Sequence, residues 1–133
     1  LWDHAASVME KLFTEYDLVL SPTTATTAPK IADDLQSPEI RDALEVSASL
    51  SETELTHVIE QMFDKSLKIT PYTQLANLTG QPSISLPTYV TEKGLPLGIQ
   101  FMAARGREDL LLQVGKLFEE NYGFHLPEYY RQK

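Results

Sequence analysis

Apolar residues recur at every third or fourth position over residues 3–16, at Ala5, Ala6, Val8, Met9, Leu12, Phe13 and Tyr16. That spacing gives one buried helical face. The continuous run Leu18-Val19-Leu20 then predicts a strand buried on both sides, as in a sheet covered by helices. Pro22 cannot donate to a ladder and is expected to close it. Residues 23–37 turn to Thr, Ala, Pro and Asp without a period, which reads as a long loop or lid.

Helix punctuation resumes at Ser37-Pro38-Glu39, an N-cap, a proline at the first helical position and an acidic first turn, opening a short helix that Ser47-Ala48-Ser49-Leu50 breaks. Ser51-Glu52-Thr53-Glu54 is a capping box, and the helix behind it carries an expected buried stripe of Leu55, Val58, Ile59, Met62, Phe63 and Leu67. Thr70-Pro71 repeats the cap-and-proline logic for a short helix over 72–79 that Gly80 stops. Alternation in Ser83-Ile84-Ser85-Leu86 and in Leu97-Gly98-Ile99-Gln100-Phe101-Met102, with turn residues over 91–96, predicts two antiparallel strands. A last helix starts at Glu108-Asp109, presents Leu111, Val114, Leu117 and Phe118, and ends at Gly123. Gly115 inside it costs about 1 kcal/mol against Ala, which points to close packing against a neighbouring backbone. The fold class is α/β, part of a mixed β-sheet covered by helices.

Composition narrows the function. A chain of 133 residues suffices for one domain with a real core, and its 42% apolar and 23% charged residues are those of a folded globular protein. A net charge of −8 argues against nucleic-acid partners and anionic membrane surfaces. Without cysteine there are no disulfides, thiolate metal sites or Cys nucleophile, and a reducing, cytoplasmic location is expected. No apolar run has the length of a membrane span, and no secretory signal pattern is present. The start at Leu1-Trp2-Asp3, inside a predicted helix and without Met, suggests a fragment of something longer.

A catalytic serine needs a base within reach and donors for an oxyanion, and the sequence holds neither a G-x-S-x-G elbow nor an S-x-x-K pair. Ser83 and Ser85 are therefore read as small residues on a sheet. His4, His57 and His125 are scattered, so no metal site is expected. Asp33-Asp34 and Glu119-Glu120 are read as surface charge, and Asn77-Leu78-Thr79 as a chance glycosylation match within a helix. Thr70-Pro71-Tyr72-Thr73 stands out, because a helix start with two hydroxyls can form a polar wall for a substrate, although the residues by themselves favour plain helix capping.

The order of segments resembles the C-terminal third of amidase-signature enzymes. The match runs through Tyr16-Asp17-Leu18-Val19-Leu20-Ser21-Pro22-Thr23, then Thr70-Pro71-Tyr72-Thr73, Ala76-Asn77-Leu78-Thr79-Gly80-Gln81-Pro82, Ile84-Ser85-Leu86-Pro87, Gly94-Leu95-Pro96-Leu97-Gly98-Ile99-Gln100 and Arg107-Glu108-Asp109-Leu110-Leu111-Leu112. It spans nearly all of 1–133, with 31–67 as a variable helical insert. The resemblance implies a mixed sheet between helices and hydrolysis of amide bonds without a cofactor or metal. It also implies a Ser nucleophile, a second Ser and a Lys base, all upstream of the stretch present here. No residue of this chain matches them, so no catalytic residue is assigned and the chain alone is expected to be inactive.

By the same resemblance Thr70, Pro71, Tyr72 and Thr73 lie near the substrate pocket, and Gly80, Pro82, Gly94 and Gly98 are structural. The expected partner is a small-molecule amide substrate of the full-length enzyme, with the isolated chain self-associating through uncovered strands and apolar faces. Two alternatives stand beside this reading: the A subunit of a tRNA-dependent amidotransferase, in which an acidic residue stands close to the position of Thr70, and a non-catalytic α/β binding module.

Overall fold

The computed structural model describes residues 1–33, 36–126 and 128. They form two compact units, one from Leu1–Ala28 with the chain from Pro71 onward, the other from Pro29–Thr70. Among the described residues no helix is long and apolar enough to cross a membrane.

The first unit is built on a three-stranded sheet, β1 (Leu18–Pro22), β2 (Ser83–Val90) and β3 (Pro96–Ala103), in the order β1-β3-β2 with both pairings antiparallel. The hairpin between β2 and β3 turns at Thr91, whose carbonyl accepts from Gly94 N (2.8 Å) and whose N–H donates to Leu95 O (2.9 Å). Gly94 has φ +77°, a left-handed geometry that glycine adopts without a Cβ penalty. A register shift between Leu86 and Tyr89 kinks β2 around Pro87.

Strand alternation sorts the side chains onto two faces, and helices cover both. On one, Leu86, Phe101 and Ala103 pack with Leu111 of α5 (Glu108–Tyr122), joined by Leu18, Ile84, Val114 and Phe118. The Phe101 and Phe118 rings stand 5.5 Å apart and tilted by 59°. On the other face, Met102 and Val19 pack under Met9, Leu12 and Phe13 from α1 and its end (Trp2–Leu12) and Ala76 of α4 (Thr73–Thr79). The result is a helix–sheet–helix sandwich.

Several expectations need correction. β1 is an edge strand, not one buried on both sides, and Leu20 is 60% exposed because α5 does not cover that corner. Pro22 is the last residue of β1, as expected; on an edge its missing N–H goes unused, and one further bond, Thr23 N to Gly98 O at 3.0 Å, follows the strand. Leu117 is exposed at 57%; the inward face of α5 runs through Leu111, Val114, Gly115 and Phe118. A Cβ on Gly115 would meet side chains, Ile84 Cδ1 at 3.4 Å and Leu86 Cδ2 at 3.7 Å, rather than backbone.

The second unit holds α2 (Pro38–Glu45), a 3-10 turn at Ser47–Ser49 and α3 (Glu52–Ile69). Ser37 caps α2, its hydroxyl accepting from Ile40 N. The capping box of α3 forms in full: Ser51 N–H donates to Glu54 Oε2 at 2.8 Å, the Ser51 hydroxyl donates to the same oxygen at 2.6 Å, and Glu54 N–H reaches Ser51 Oγ at 3.4 Å. The stripe expected on α3 is buried only at Val58; Ile59, Phe63 and Leu67 are exposed. Periodicity marks the face a helix offers to a neighbour and does not supply the neighbour. Of the acidic pair at 33 and 34, Asp33 accepts from Lys30 N at 2.9 Å, and Asp34 lies outside the described residues.

The Ser51 hydroxyl, and next the Ser51 N–H, hold the Glu54 carboxyl below its ordinary pKa. A carboxyl depressed in the folded state adds stability above its unfolded-state pKa and loses it as the pH falls through the lowered folded value. Ser51→Ala is expected to cost about 1 kcal/mol and to flatten this acid-side loss, as urea unfolding followed by circular dichroism at neutral and acidic pH will show. The two sheet-facing glycines are expected to diverge. A Cβ on Gly98 would lie 2.9 Å from Leu86 O, a backbone atom. Gly98→Ala should therefore lose roughly 1–3 kcal/mol, whereas Gly115→Ala, meeting only flexible methyl ends, should be neutral or gain up to about 1 kcal/mol from helix propensity; thermal unfolding of both variants checks the contrast.

Candidate functional site

The segment Asn77-Leu78-Thr79-Gly80-Gln81-Pro82 forms the knot that joins α4 to β2. Gly80, at φ +77°, ends α4 with its N–H on Ala76 O at 2.8 Å. Thr79 is fully buried, its hydroxyl returning to Leu75 O and its carbonyl accepting from the Arg105 guanidinium. Arg105 also pairs with Glu10 of α1 at 3.1 Å, and a Cβ on Gly80 would press on the guanidinium at 3.4 Å. Pro82 O accepts from Ala103 N at 3.1 Å, which carries the β2–β3 pairing to the very start of the strand. Here the motif positions a helix end.

The four residues expected at a substrate wall divide at the unit boundary. The N-cap residue of the following helix is Tyr72 rather than Thr70. Thr70 is the C-cap of α3, its N–H and hydroxyl both donating to Ser66 O at 3.0 Å. Pro71 and Tyr72 lie in the turn before α4, whose first residue is Thr73. Tyr72 is the N-cap without a side-chain cap bond, and its ring is half exposed.

Three other segments meet at one end of the sheet. Thr23 and Thr24 after β1, Ser85 and Pro87 of β2, and Leu97 and Gly98 of β3 line a pocket of about 290 Å³. Within it the Thr23 and Ser85 hydroxyls are hydrogen-bonded at 2.6 Å across 62 residues of chain. Gly98 makes room for the pair: a Cβ there would stand 3.0 Å from Ser85 Oγ and 3.2 Å from Thr23 Oγ1. Behind it Gln100 is paired in register with both Ser21 and Ser85, giving a polar row across all three strands. Gln100 is 4% exposed and its Nε2 has no hydrogen-bond partner. The reading of Ser85 as merely a small residue on a sheet missed this pair, although alternation in the two predicted strands places Ser85 and Gly98 on a common face.

A larger cavity, about 750 Å³, is an apolar groove between β2 and α5 lined by Ile84, Leu86, Pro87, Leu112, Gly115 and Phe124. Lys116 on its rim is paired with Glu120 at 3.7 Å. Among the described residues the carboxyls with displaced pKa values lie elsewhere, at exposed helix starts: Glu39 is lowered first by the Ser37 hydroxyl and Asp109 first by Arg107, as Glu54 is by Ser51. Such shifts often mark reacting groups. Local partners account for these three: the cap hydroxyls of Ser37 and Ser51, and for Asp109 an ion pair with Arg107 at 3.0 Å.

The sheet between α5 and the α1–α4 pair, with a hydroxyl-lined pocket at one end, is a mixed α/β segment. The chain belongs to the amidase family, whose profile, described as Amidase, matches residues 3–112. It is 43% identical over 122 residues to a lipoamidase of Enterococcus faecalis, covering 92% of this chain and 17% of that protein. It is 36% identical over 104 residues to a 6-aminohexanoate-cyclic-dimer hydrolase of Pseudomonas sp. (strain NK87), covering 78% of this chain and 18% of that one. A solved structure of 6-aminohexanoate cyclic dimer hydrolase complexed with substrate superposes with a TM-score of 0.68 at 32% identity, over 96% of this chain and 24% of that chain. The chain thus spans about a fifth of the length of the relatives it matches.

Arg105 is the bridge that ties α4 and α1 to the end of β3. Arg105→Ala removes a charge-assisted bond to the Thr79 carbonyl, and a loss of roughly 1.5–3 kcal/mol is expected. Arg105→Lys should recover only part of it, because an ammonium does not reproduce the fork that spans both acceptors; urea unfolding of the two variants measures the difference.

Proposed function

We propose that this chain is the C-terminal segment of a cytoplasmic amidase that hydrolyses amide bonds of small substrates, and that it is inactive alone because the Ser-Ser-Lys machinery lies in sequence upstream. The observation that carries this reading is the 43% identity to a lipoamidase over 92% of the chain, matched to only 17% of that protein. A second relative is named for hydrolysis of a cyclic amide dimer, which favours small amides as the substrate class. The cysteine-free sequence fits a reducing compartment.

Within this proposal residues 70–73 contribute to a pocket wall, with Tyr72 and Thr73 the members that offer polar groups. The Thr70 hydroxyl donates to Ser66 O and keeps its lone pairs to accept. Gly80, Pro82, Gly94 and Gly98 are structural. Exposed Val8, Leu20, Leu112 and Leu117 in the first unit, and Ile59 and Phe63 in the second, favour self-association of the isolated chain.

Amide hydrolysis is to be assayed for the 133-residue chain and for a protein extended upstream through the Gly/Ser-rich and lysine segments. Turnover is expected only for the extended protein; turnover by the chain alone, or none by either, overturns the reading. In the extended protein Tyr72→Phe and Thr73→Ala are each expected to change kcat/KM among amide substrates by about fivefold, the value of one hydrogen bond. Unaltered specificity in both removes residues 70–73 from the pocket. Sedimentation equilibrium should show the isolated chain above monomer mass, and a strict monomer at high concentration contradicts the self-association.

A further inference from the structure

The pocket at the sheet end draws all its walls from the first unit and from three separated stretches of sequence. No charged side chain lines it, and the chain carries a net −8, so an anion finds no countercharge there. Its size, about 290 Å³, is at the lower end for small-molecule sites. The walls are Pro87, Pro96 and Leu97, and the polar point is the Thr23–Ser85 hydroxyl pair.

Proton counting defines what that pair can bind. Two hydroxyls carry two protons, and one is spent in the 2.6 Å bond between them. One O–H donor remains, beside oxygen lone pairs on the neighbouring atom. A ligand satisfying both must present an acceptor and a donor on one edge, as the C=O and N–H of a primary carboxamide or of a ring amide do. A carboxylate offers acceptors alone, and a tertiary amide lacks the donor. Gly98 is needed for the arrangement, since any Cβ would fill the approach to both oxygens. Gln100, in register with Ser85 on the same face, adds a buried Nε2 donor without a partner, so the row as a whole has unspent hydrogen-bonding capacity.

We propose that Thr23 and Ser85 form a subsite for the same-edge C=O and N–H of a primary or cyclic amide, with Pro87, Pro96 and Leu97 taking its carbon skeleton. The proposal rests on the amidase reading for its substrate class, but it concerns binding by residues of this chain and no bond is made or broken.

The test is a titration of the ¹⁵N-labelled 133-residue chain, followed by two-dimensional NMR, with acetamide, N,N-dimethylacetamide and acetate as probes. Acetamide is expected to shift the amide resonances of Thr23, Ser85 and Gly98 saturably. N,N-dimethylacetamide, which keeps the carbonyl but has no N–H, is expected to bind about fivefold more weakly, and acetate more weakly than acetamide. Thr23→Val, nearly the same shape without the hydroxyl, should bring acetamide down to the level of the tertiary amide. If that variant loses its dispersed spectrum, Ser85→Ala carries the same expectation. Equal affinity for the two amides, saturable shifts confined to other residues, no saturable shift at all, or unchanged binding in the folded variants overturns the subsite. Because binding is read without turnover, failure here leaves the hydrolysis assay to decide the amidase reading separately.

Discussion

The first unit depends on β3 being paired on both edges and covered on both faces. Its last four residues, Gln100, Phe101, Met102 and Ala103, are all buried, although alternation sends their side chains in opposite directions. That is possible only if strands flank β3 and helices cover each side. β1 and β2 satisfy its backbone by antiparallel pairing, α5 covers Phe101 and Ala103, and α1 with α4 covers Met102. A shift of one residue in register would send Phe101 under α1 and Gln100 under α5, exchanging an apolar and a polar group between faces. The bond from Ala103 N to Pro82 O and the Arg105 bridge at the strand end oppose such a slip.

The same register produces the polar row. Along the face that carries Met102, β3 continues through Gln100 to Gly98, so the sulfur and methyl groups under α1 and α4 give way to amide and hydroxyl groups toward the pocket. Gln81, at the corner between α4 and β2, is also buried and has both of its amide atoms without a partner. A buried polar atom left unpaired costs roughly 1–3 kcal/mol. Among the described residues these two glutamines carry the buried side-chain atoms without a hydrogen-bond partner, at the knot and in the row that leads to the pocket.

What could be read from the sequence divides by the range of the interaction involved. Signals that act within one turn hold: the Ser37 and Ser51 caps, Gly80 in the left-handed region, the turn at Gly94, the end of α5 at Gly123 and the alternation of β2 and β3. Signals that depend on a distant partner do not. Leu18-Val19-Leu20 has the composition of a central strand, yet its place at the edge follows from β3 pairing back to it across some eighty residues. The stripe on α3 is periodic and still largely exposed. Thr70-Pro71 reads as the start of a helix, but the chain uses the threonine to close the helix before it, since both its N–H and its hydroxyl reach Ser66 O.

The candidate site was hidden for the same reason. Residues 70–73 stand out in sequence because their polar groups are contiguous, whereas the pocket at the sheet end is assembled from single residues on three strands or their ends. Thr23, Ser85 and Gly98 each fall in a separate motif of the family resemblance, but nothing in those motifs pairs them, and their relation exists only once β3 lies between β1 and β2. The glycine shows the dependence most clearly. At Gly80 and Gly94 the backbone angle calls for glycine, while at Gly98 the cause is the space that two hydroxyls and a carbonyl from other strands occupy. The motif over 77–82 therefore serves the site indirectly: by fixing where β2 begins, it sets the register that brings Ser85 opposite Gln100 and within 2.6 Å of Thr23.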